Sequence, residues 1–178
     1  MDERTLISQA QQGDREAFGR LYGLYKDKYY RYAVYKLRHD EDAEDAVMEA
    51  VMKMWQQIGQ LKVPEAFGTW SFRILAASCA KLIKGQIRRK EETDIGGVTQ
   101  ETGSAGAAAK LSTEDKTEER LILEEALDQL TEEERDIVLL HVSGLKSAEI
   151  AEQTGMAAGS VRSNLSRSMK KMRAFLEG

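Results

Sequence analysis

Apolar residues in this chain recur at intervals of three and four, and only an α-helix turns that spacing into one continuous face. Phe18, Leu21, Tyr22, Tyr25, Tyr29, Tyr32, Ala33 and Leu37 form one such run, and Ala43, Ala46, Val47, Ala50, Val51, Met54, Trp55 and Ile58 form another. A single proline in 178 residues leaves the pattern almost free of helix breakers. The expected fold is therefore all-α. A short helix over Arg4 to Gln11 ends at Gly13, Asp14 caps the Phe18–Leu37 helix, and His39-Asp40 separates it from the next. Pro64 suits the first turn of a fourth helix reaching about Arg89. The tyrosine stripe has the spacing of a core face, although stacked rings are also a platform for bases.

Leu145 to Arg173 has its own pattern. Ser147 caps a short helix with Ile150 and Ala151 inward, Gly155 supplies the turn, Met156 plugs it, and a second helix starts near Ala158 with Val161 and Leu165 inward. Its outward positions are Ser160, Arg162, Ser163, Asn164, Ser166, Arg167, Lys170, Lys171 and Arg173. Five basic residues and no acidic one lie between Gly159 and Arg173. This is the pattern of a helix-turn-helix whose second helix enters the DNA major groove.

Net charge is −4, but the signs are segregated. Residues 1–90 carry 16 Lys/Arg against 12 Asp/Glu, residues 91–134 carry 3 against 14, and residues 135–178 carry 7 against 4. Two basic ends flanking an acidic middle point to DNA contact at both ends. Residues 91–117 are rich in Gly, Ser, Thr, Ala and acids without an apolar period, the composition of a flexible linker. Beyond it, Leu121, Ile122, Ala126, Leu127 and Leu130 mark a helix, and Thr131 with Glu134 forms a capping box opening the next. The chain thus divides into two small helical domains, 1–90 and 118–178, joined by the acidic linker 91–117.

Several classes are excluded. One cysteine, Cys79, allows no internal disulfide, and no Cys/His spacing suits zinc. The N-terminus reads as neither signal nor transit peptide, and no apolar run is long enough for a membrane span, so a cytoplasmic protein is expected. No phosphate-binding loop or nucleophile–base pair points to an enzyme, and no cofactor or metal is expected.

Two helices of the first domain carry candidate binding chemistry. The helix after Pro64 begins aromatic, with Phe67, Trp70 and Phe72, and finishes basic, with Lys81, Lys84, Arg88, Arg89 and Lys90, Arg73 lying further up. Rings and cations together suit unstacked single-stranded DNA. Cations at a helix C-terminus also complement its dipole, and Trp70 stands open between this role and the core. The helix before it gathers Asp42, Glu44, Asp45 and Glu49 opposite its apolar stripe. Like charges so close repel one another, which a cationic partner, a metal or plain solvation would relieve.

The stretches AFGRLYGLY at Ala17–Tyr25, HDEDAEDAVMEAVMKMW at His39–Trp55, AFGTWSFRIL at Ala66–Leu75 and the run Ala126–Arg173 together resemble the extracytoplasmic-function (ECF) sigma factors of bacterial RNA polymerase. The resemblance spans nearly the whole chain. It implies that 1–90 is sigma region 2, that 118–178 is sigma region 4, and that the chain starts transcription at promoters. It further implies that Asp42, Glu44, Asp45 and Glu49 bind polymerase core, built around the β and β′ subunits. Trp70, Phe72, Arg73, Lys81, Lys84, Arg88 and Arg89 would engage the −10 element. Ser160, Arg162, Ser163, Asn164, Ser166, Arg167, Lys170 and Lys171 would read the −35 element. An anti-sigma factor is a further implied partner. The competing reading of the residues is a two-domain helix-turn-helix regulator that never binds polymerase core.

Overall fold

The computed structural model describes residues 1–96 and 116–178, all of whose regular elements are helical. In order these are α1 (Glu3–Gln11), α2 (Arg15–Leu37), α3 (Asp40–Gln57), two 3₁₀ turns at Ile58–Gln60 and Pro64–Ala66, α4 (Phe67–Gly96), α5 (Glu118–Leu127), α6 (Glu132–Val142), α7 (Ser147–Thr154) and α8 (Ala158–Glu177). Most of the linker expected at 91–117 lies outside the described residues. At its near end, α4 continues past Lys90 to Gly96.

Local chemistry sets the helix ends. Asp14 Oδ1 accepts from the Ala17 N–H (3.1 Å), which caps α2. At its far end Arg38 adopts a left-handed conformation (φ 71°), a position glycine usually fills. The Arg38 guanidinium reaches back to the Tyr35 carbonyl (3.1 Å), a local bond that helps hold the strained cap. The expected capping box is present, with the Thr131 hydroxyl accepting from the Glu134 N–H and the Glu134 carboxylate accepting from the Thr131 N–H. Gly155 sits at φ 80°, the left-handed turn between α7 and α8. The cap of α7 is Lys146 rather than Ser147, and Glu149 accepts its N–H (2.7 Å).

The first region is built on α2, α3 and α4. Tyr29 and Tyr32 of α2 meet Phe72 of α4 edge-on, with centroids 5.1 and 6.0 Å apart. Ala43, Ala46, Val47, Ala50 and Met54 of α3 close the same core. The tyrosine stripe is therefore a packing face, not a base-stacking surface: Tyr29 and Tyr32 are buried. A smaller cluster under α1 joins Leu6, Ile7 and Ala10 to Leu21, Ile58, Leu61 and Phe67.

The two regions do not keep separate cores. Leu127, Leu130, Ile137 and Val138 of the second belong to one buried cluster with Tyr32, Val34 and Leu37 of the first. Leu121 and Ile122, expected inward, are exposed. Ala126, Leu127 and Leu130 are buried as expected, and Glu124 joins them, with Arg120 half-buried beside. Arg120 faces Asp40 of the first region, so at the start of α5 an ion pair takes the inward place expected for Leu121 and Ile122.

The capping box yields a pH-dependent prediction. The Glu134 carboxyl is held below its ordinary 4.5, first by the Thr131 backbone N–H and then by Lys171. A lowered folded value means its contribution is complete above the unfolded pKa and is lost as pH falls through the folded one. Thr131→Ala should cost about 1 kcal/mol in urea unfolding at neutral pH. Glu134→Gln should flatten the fall in stability below pH ~4.5.

Candidate nucleic-acid interface

Two long helices present cations. The inward residues of α4, namely Phe72, Leu75 and Cys79, fix its rotation. At 100° per residue, Arg73, Ala77, Lys81, Lys84 and Arg88 then fall on one exposed stripe, about 22 Å long at 1.5 Å per residue. Arg89 is exposed off that line. Lys81 lies 3.1 Å from Glu49 of α3, and Arg73 lies 3.5 Å from Glu152 of α7. Phe72, expected at the DNA, is instead fully buried against the tyrosines, because its position on α4 lies opposite the cationic stripe. Trp70 is half-buried, 5.7 Å from Phe67. Burial raises the Cys79 thiol to about 12, so it remains protonated at neutral pH.

The helix-turn-helix is formed by α7 and α8, with Ile150, Ala151 and Val161 at their contact. Outward on α8 stand Ser160, Arg162, Ser163, Ser166, Arg167, Lys170, Lys171 and Arg173, a half-cylinder without an acid. Asn164 does not join them. It is 6% exposed, and its Oδ1 accepts a hydrogen bond from the buried Ser168 hydroxyl (3.2 Å). Position 164 falls one turn from Val161 and Ser168 on the inner arc, and its amide satisfies a polar group that would otherwise be stranded. Lys171 is held by Glu134 at 2.9 Å.

On α3 the four carboxylates separate into two pairs. Glu44 and Asp45 are exposed, beside the exposed Met48 and Met52. Asp42 and Glu49, expected outward, are half-buried and turned toward α4. Asp42 accepts from Gln86 (2.7 Å), and Glu49 is bracketed by Lys53 (3.0 Å) and Lys81 (3.1 Å). Lys53 first, then Lys81, holds the Glu49 carboxyl below its ordinary value. Among the described residues no group of three or more His, Cys, Asp or Glu is placed to hold a metal ion. No described helix is long and apolar enough to cross a membrane.

Sequence reasoning missed the charged residues that join the two regions. Lys36 pairs with Asp136, Arg38 with Asp128 (2.8 Å), and Arg120 with Asp40 (2.5 Å) and Glu124 (2.9 Å). The Thr69 hydroxyl donates to Glu149 (2.7 Å). Most of these partners lie eighty or more residues apart, so no local spacing signals them.

A helix-turn-helix with a cationic outer face, a second cationic helix and a helix with exposed acids make up a chain suited to DNA and protein partners. Comparison with known proteins agrees. Residues 21–89 match the Sigma-70 region 2 family and residues 120–172 match Sigma-70, region 4. The ECF RNA polymerase sigma-E factor of Escherichia coli K12 is 30% identical over 176 residues, covering 94% of this chain and 90% of that protein. The ECF RNA polymerase sigma factor BldN of Streptomyces coelicolor is also 30% identical, over 96% of this chain and 64% of its own length. The solved structure of CnrH in complex with the cytosolic domain of CnrY shares the fold, with a TM-score of 0.70 at 20% identity over 98% of this chain and 97% of that one. Sigma factor RpoE of Bartonella quintana, solved with the anti-sigma factor NepR, gives the same TM-score and identity over 90% of this chain and 96% of that one. The chain belongs to the ECF RNA polymerase sigma factor family. It directs RNA polymerase core to promoters and is not an enzyme, and the reading as a regulator independent of polymerase gives way.

The buried amide leads to a prediction that separates packing from base reading. Asn164→Ala should cost about 1–3 kcal/mol by leaving the Ser168 hydroxyl without its acceptor. Its preference among −35 sequences, measured by promoter competition, should stay that of the parent protein.

Proposed function

We propose the following division of labour for this sigma factor. Region 1–90 docks on polymerase core through the outward acids of α3, chiefly Glu44 and Asp45, with Met48 and Met52 as the apolar part of the contact. Asp42 and Glu49 act from behind, holding α4 against α3. The α4 stripe of Arg73, Lys81, Lys84 and Arg88, with Arg89 beside it and Trp70 at its aromatic end, engages the −10 element. Region 118–178 places α8 in the major groove of the −35 element. There Arg162, Arg167, Lys170 and Lys171 meet phosphates, while Ser160, Ser163 and Ser166 are short enough to approach base edges.

The observation that carries this reading is the one-signed outer half of α8, which has five cations and no acid from Gly159 to Arg173. A duplex phosphate lattice is the surface that such a half-cylinder complements. The protein acts in the cytoplasm, where its polymerase and promoters are.

An anti-sigma factor is the second partner in this proposal, since RpoE of Bartonella quintana is held in a complex of that kind. A cavity of about 220 Å³ opens between α2 and the second region, lined by Tyr32, Tyr35, Leu123, Leu127, Val142 and Met172. It has room for an apolar side chain of such a partner.

Holoenzyme binding to a promoter fragment tests the −35 assignment. Arg162→Ala and Arg167→Ala should each reduce the slope of log K against log salt by about one unit. Retention of the full slope by both would remove α8 from the phosphates. Asp45→Arg should abolish core binding while leaving the circular-dichroism spectrum and melting temperature close to those of the parent. Normal assembly of that folded variant would show that polymerase docks elsewhere.

A further inference from the structure

The α3 helix has two polar faces. At 100° per residue, the exposed Glu44, Asp45, Met48 and Met52 fall within one arc of about 100°. Asp42, Glu49 and Lys53 fall within about 40° of one another, on the flank next to α4. Two contacts set the register there: Asp42 accepts from Gln86 at 2.7 Å, and Glu49 meets Lys81 at 3.1 Å. Numbers rise along α3 as they fall along α4, so the two helices run antiparallel. Lys53, one turn beyond Glu49, therefore lies level with Ala77, one turn before Lys81. Ala77 is the exposed position of the α4 stripe without a charge. Lys53 supplies one from the neighbouring helix, which completes a cation at every turn from Arg73 to Arg88.

We infer that Lys53 and Lys81 form a two-cation clamp for one backbone phosphate of the −10 strand, and that the Glu49 carboxylate holds the phosphate's place in the free protein. This rests on the proposed assignment of α4 to the −10 element. Both ammoniums meet the same oxygen, Glu49 Oε1, at 3.0 and 3.1 Å, so their separation cannot exceed the sum of those distances. Two donors that converge on one carboxylate oxygen are placed to converge on a phosphate. Each ammonium has three N–H donors, so the pair is not exhausted by one carboxylate oxygen.

The group is built to exchange. The side chains of Lys53, Lys81 and Glu49 are 38%, 71% and 32% exposed, which leaves the cluster open to an incoming strand. One carboxylate between two ammoniums leaves a positive charge over. The same two lysines hold the Glu49 carboxyl below its ordinary value, so it is displaced as an anion and not by protonation. Exposed ion pairs are weak and screened by salt, whereas a strand phosphate adds the release of its counterions. The Gln86–Asp42 hydrogen bond keeps α4 seated on α3 while Glu49 swings out. The helix that meets polymerase with its outer acids then meets DNA with its flank.

Holoenzyme binding to a promoter fragment with a single-stranded −10 segment tests the clamp. The variants are Lys53→Gln, Lys81→Gln and their combination, read against a scan of single methylphosphonates, each of which removes one backbone charge. Each single variant should weaken binding about threefold to fivefold at low salt. The combination should lower the slope of log K against log salt by about 0.7, the value for one single-strand phosphate, and not by twice that. One methylphosphonate position should cancel the effect of both substitutions. Glu49→Gln should tighten binding to the unmodified fragment and lose that gain at the same position. Lys53→Arg should bind as the parent does, and Lys53→Gln should keep the parental melting temperature and core assembly. Parental binding by Lys53→Gln, with Lys81→Gln weakened, would remove Lys53 from the DNA and overturn the clamp while leaving α4 at the −10 element. Impaired core assembly by a folded Lys53→Gln protein would place Lys53 at the polymerase and overturn it as well. Different phosphate positions for the two lysines, or weaker binding by Glu49→Gln, would refute the shared site. Parental binding by Lys81→Gln, Lys84→Gln and Arg88→Gln alike would instead refute the assignment of α4 to the −10 element.

Discussion

The packing of Phe72 between Tyr29 and Tyr32 is the contact from which the binding faces of the first region follow. Edge-on aromatic pairs contribute about 0.5–1.5 kcal/mol beyond the area they bury, and deleting a buried phenylalanine costs about 3–5 kcal/mol. A cost of that size fixes the rotation of α4, because turning the helix would expose Phe72, Leu75 and Cys79 together. The cationic stripe opposite them is a consequence of that rotation. The same holds for α3, where Ala43, Ala46, Ala50 and Met54 settle which carboxylates remain outside.

Charge distinguishes the two kinds of interface in this molecule. Exposed pairs such as Arg4–Glu65 and Arg20–Glu16 contribute at most about 1 kcal/mol and are easily screened. Lys36 differs, since its ammonium has left bulk water and depends on Asp136 for compensation. Breaking a buried pair from one side costs about 3–5 kcal/mol, although replacing the whole pair with apolar groups often costs nothing. An apolar replacement would make the joint permanent. A buried pair with exposed companions gives an interface that is specific in register and still responsive to salt.

Most of the architecture was legible because it rests on local rules. The stripe from Ala43 to Ile58, the capping box at Thr131 and the turn at Gly155 each express a constraint contained within a few residues. Most of the errors fall where the deciding contact is remote, and Asn164 is the local exception. Leu121 and Ile122 have the spacing of an inward face, but Asp40, eighty residues earlier, draws Arg120 inward instead. Phe72 belongs to an aromatic-to-basic segment by sequence and to the core by rotation. Asn164 is polar like its neighbours, and only the position of Ser168 one turn on shows that its amide is needed inside. Asp42 and Glu49 look equivalent to Glu44 and Asp45 until α4 supplies Gln86 and Lys81.

Under the proposed −35 role, removing Asn164 from the outward set alters how much α8 can achieve alone. The remaining short polar groups are serines, which hydrogen-bond to more than one base and discriminate little. Its cations, by contrast, give strong but sequence-independent attraction: neutralising four phosphates makes affinity fall with salt at a slope of about −3.6. A helix with much charge and little base reading binds DNA readily and chooses poorly. In the proposed division of labour, selectivity then comes from a second contact at a fixed distance, supplied by α4. Linking two modest readers multiplies their discrimination only if both can engage at once. The same charges, left unpaired, would bind DNA indiscriminately. Glu152 beside Arg73 and Glu134 beside Lys171 offset part of that attraction.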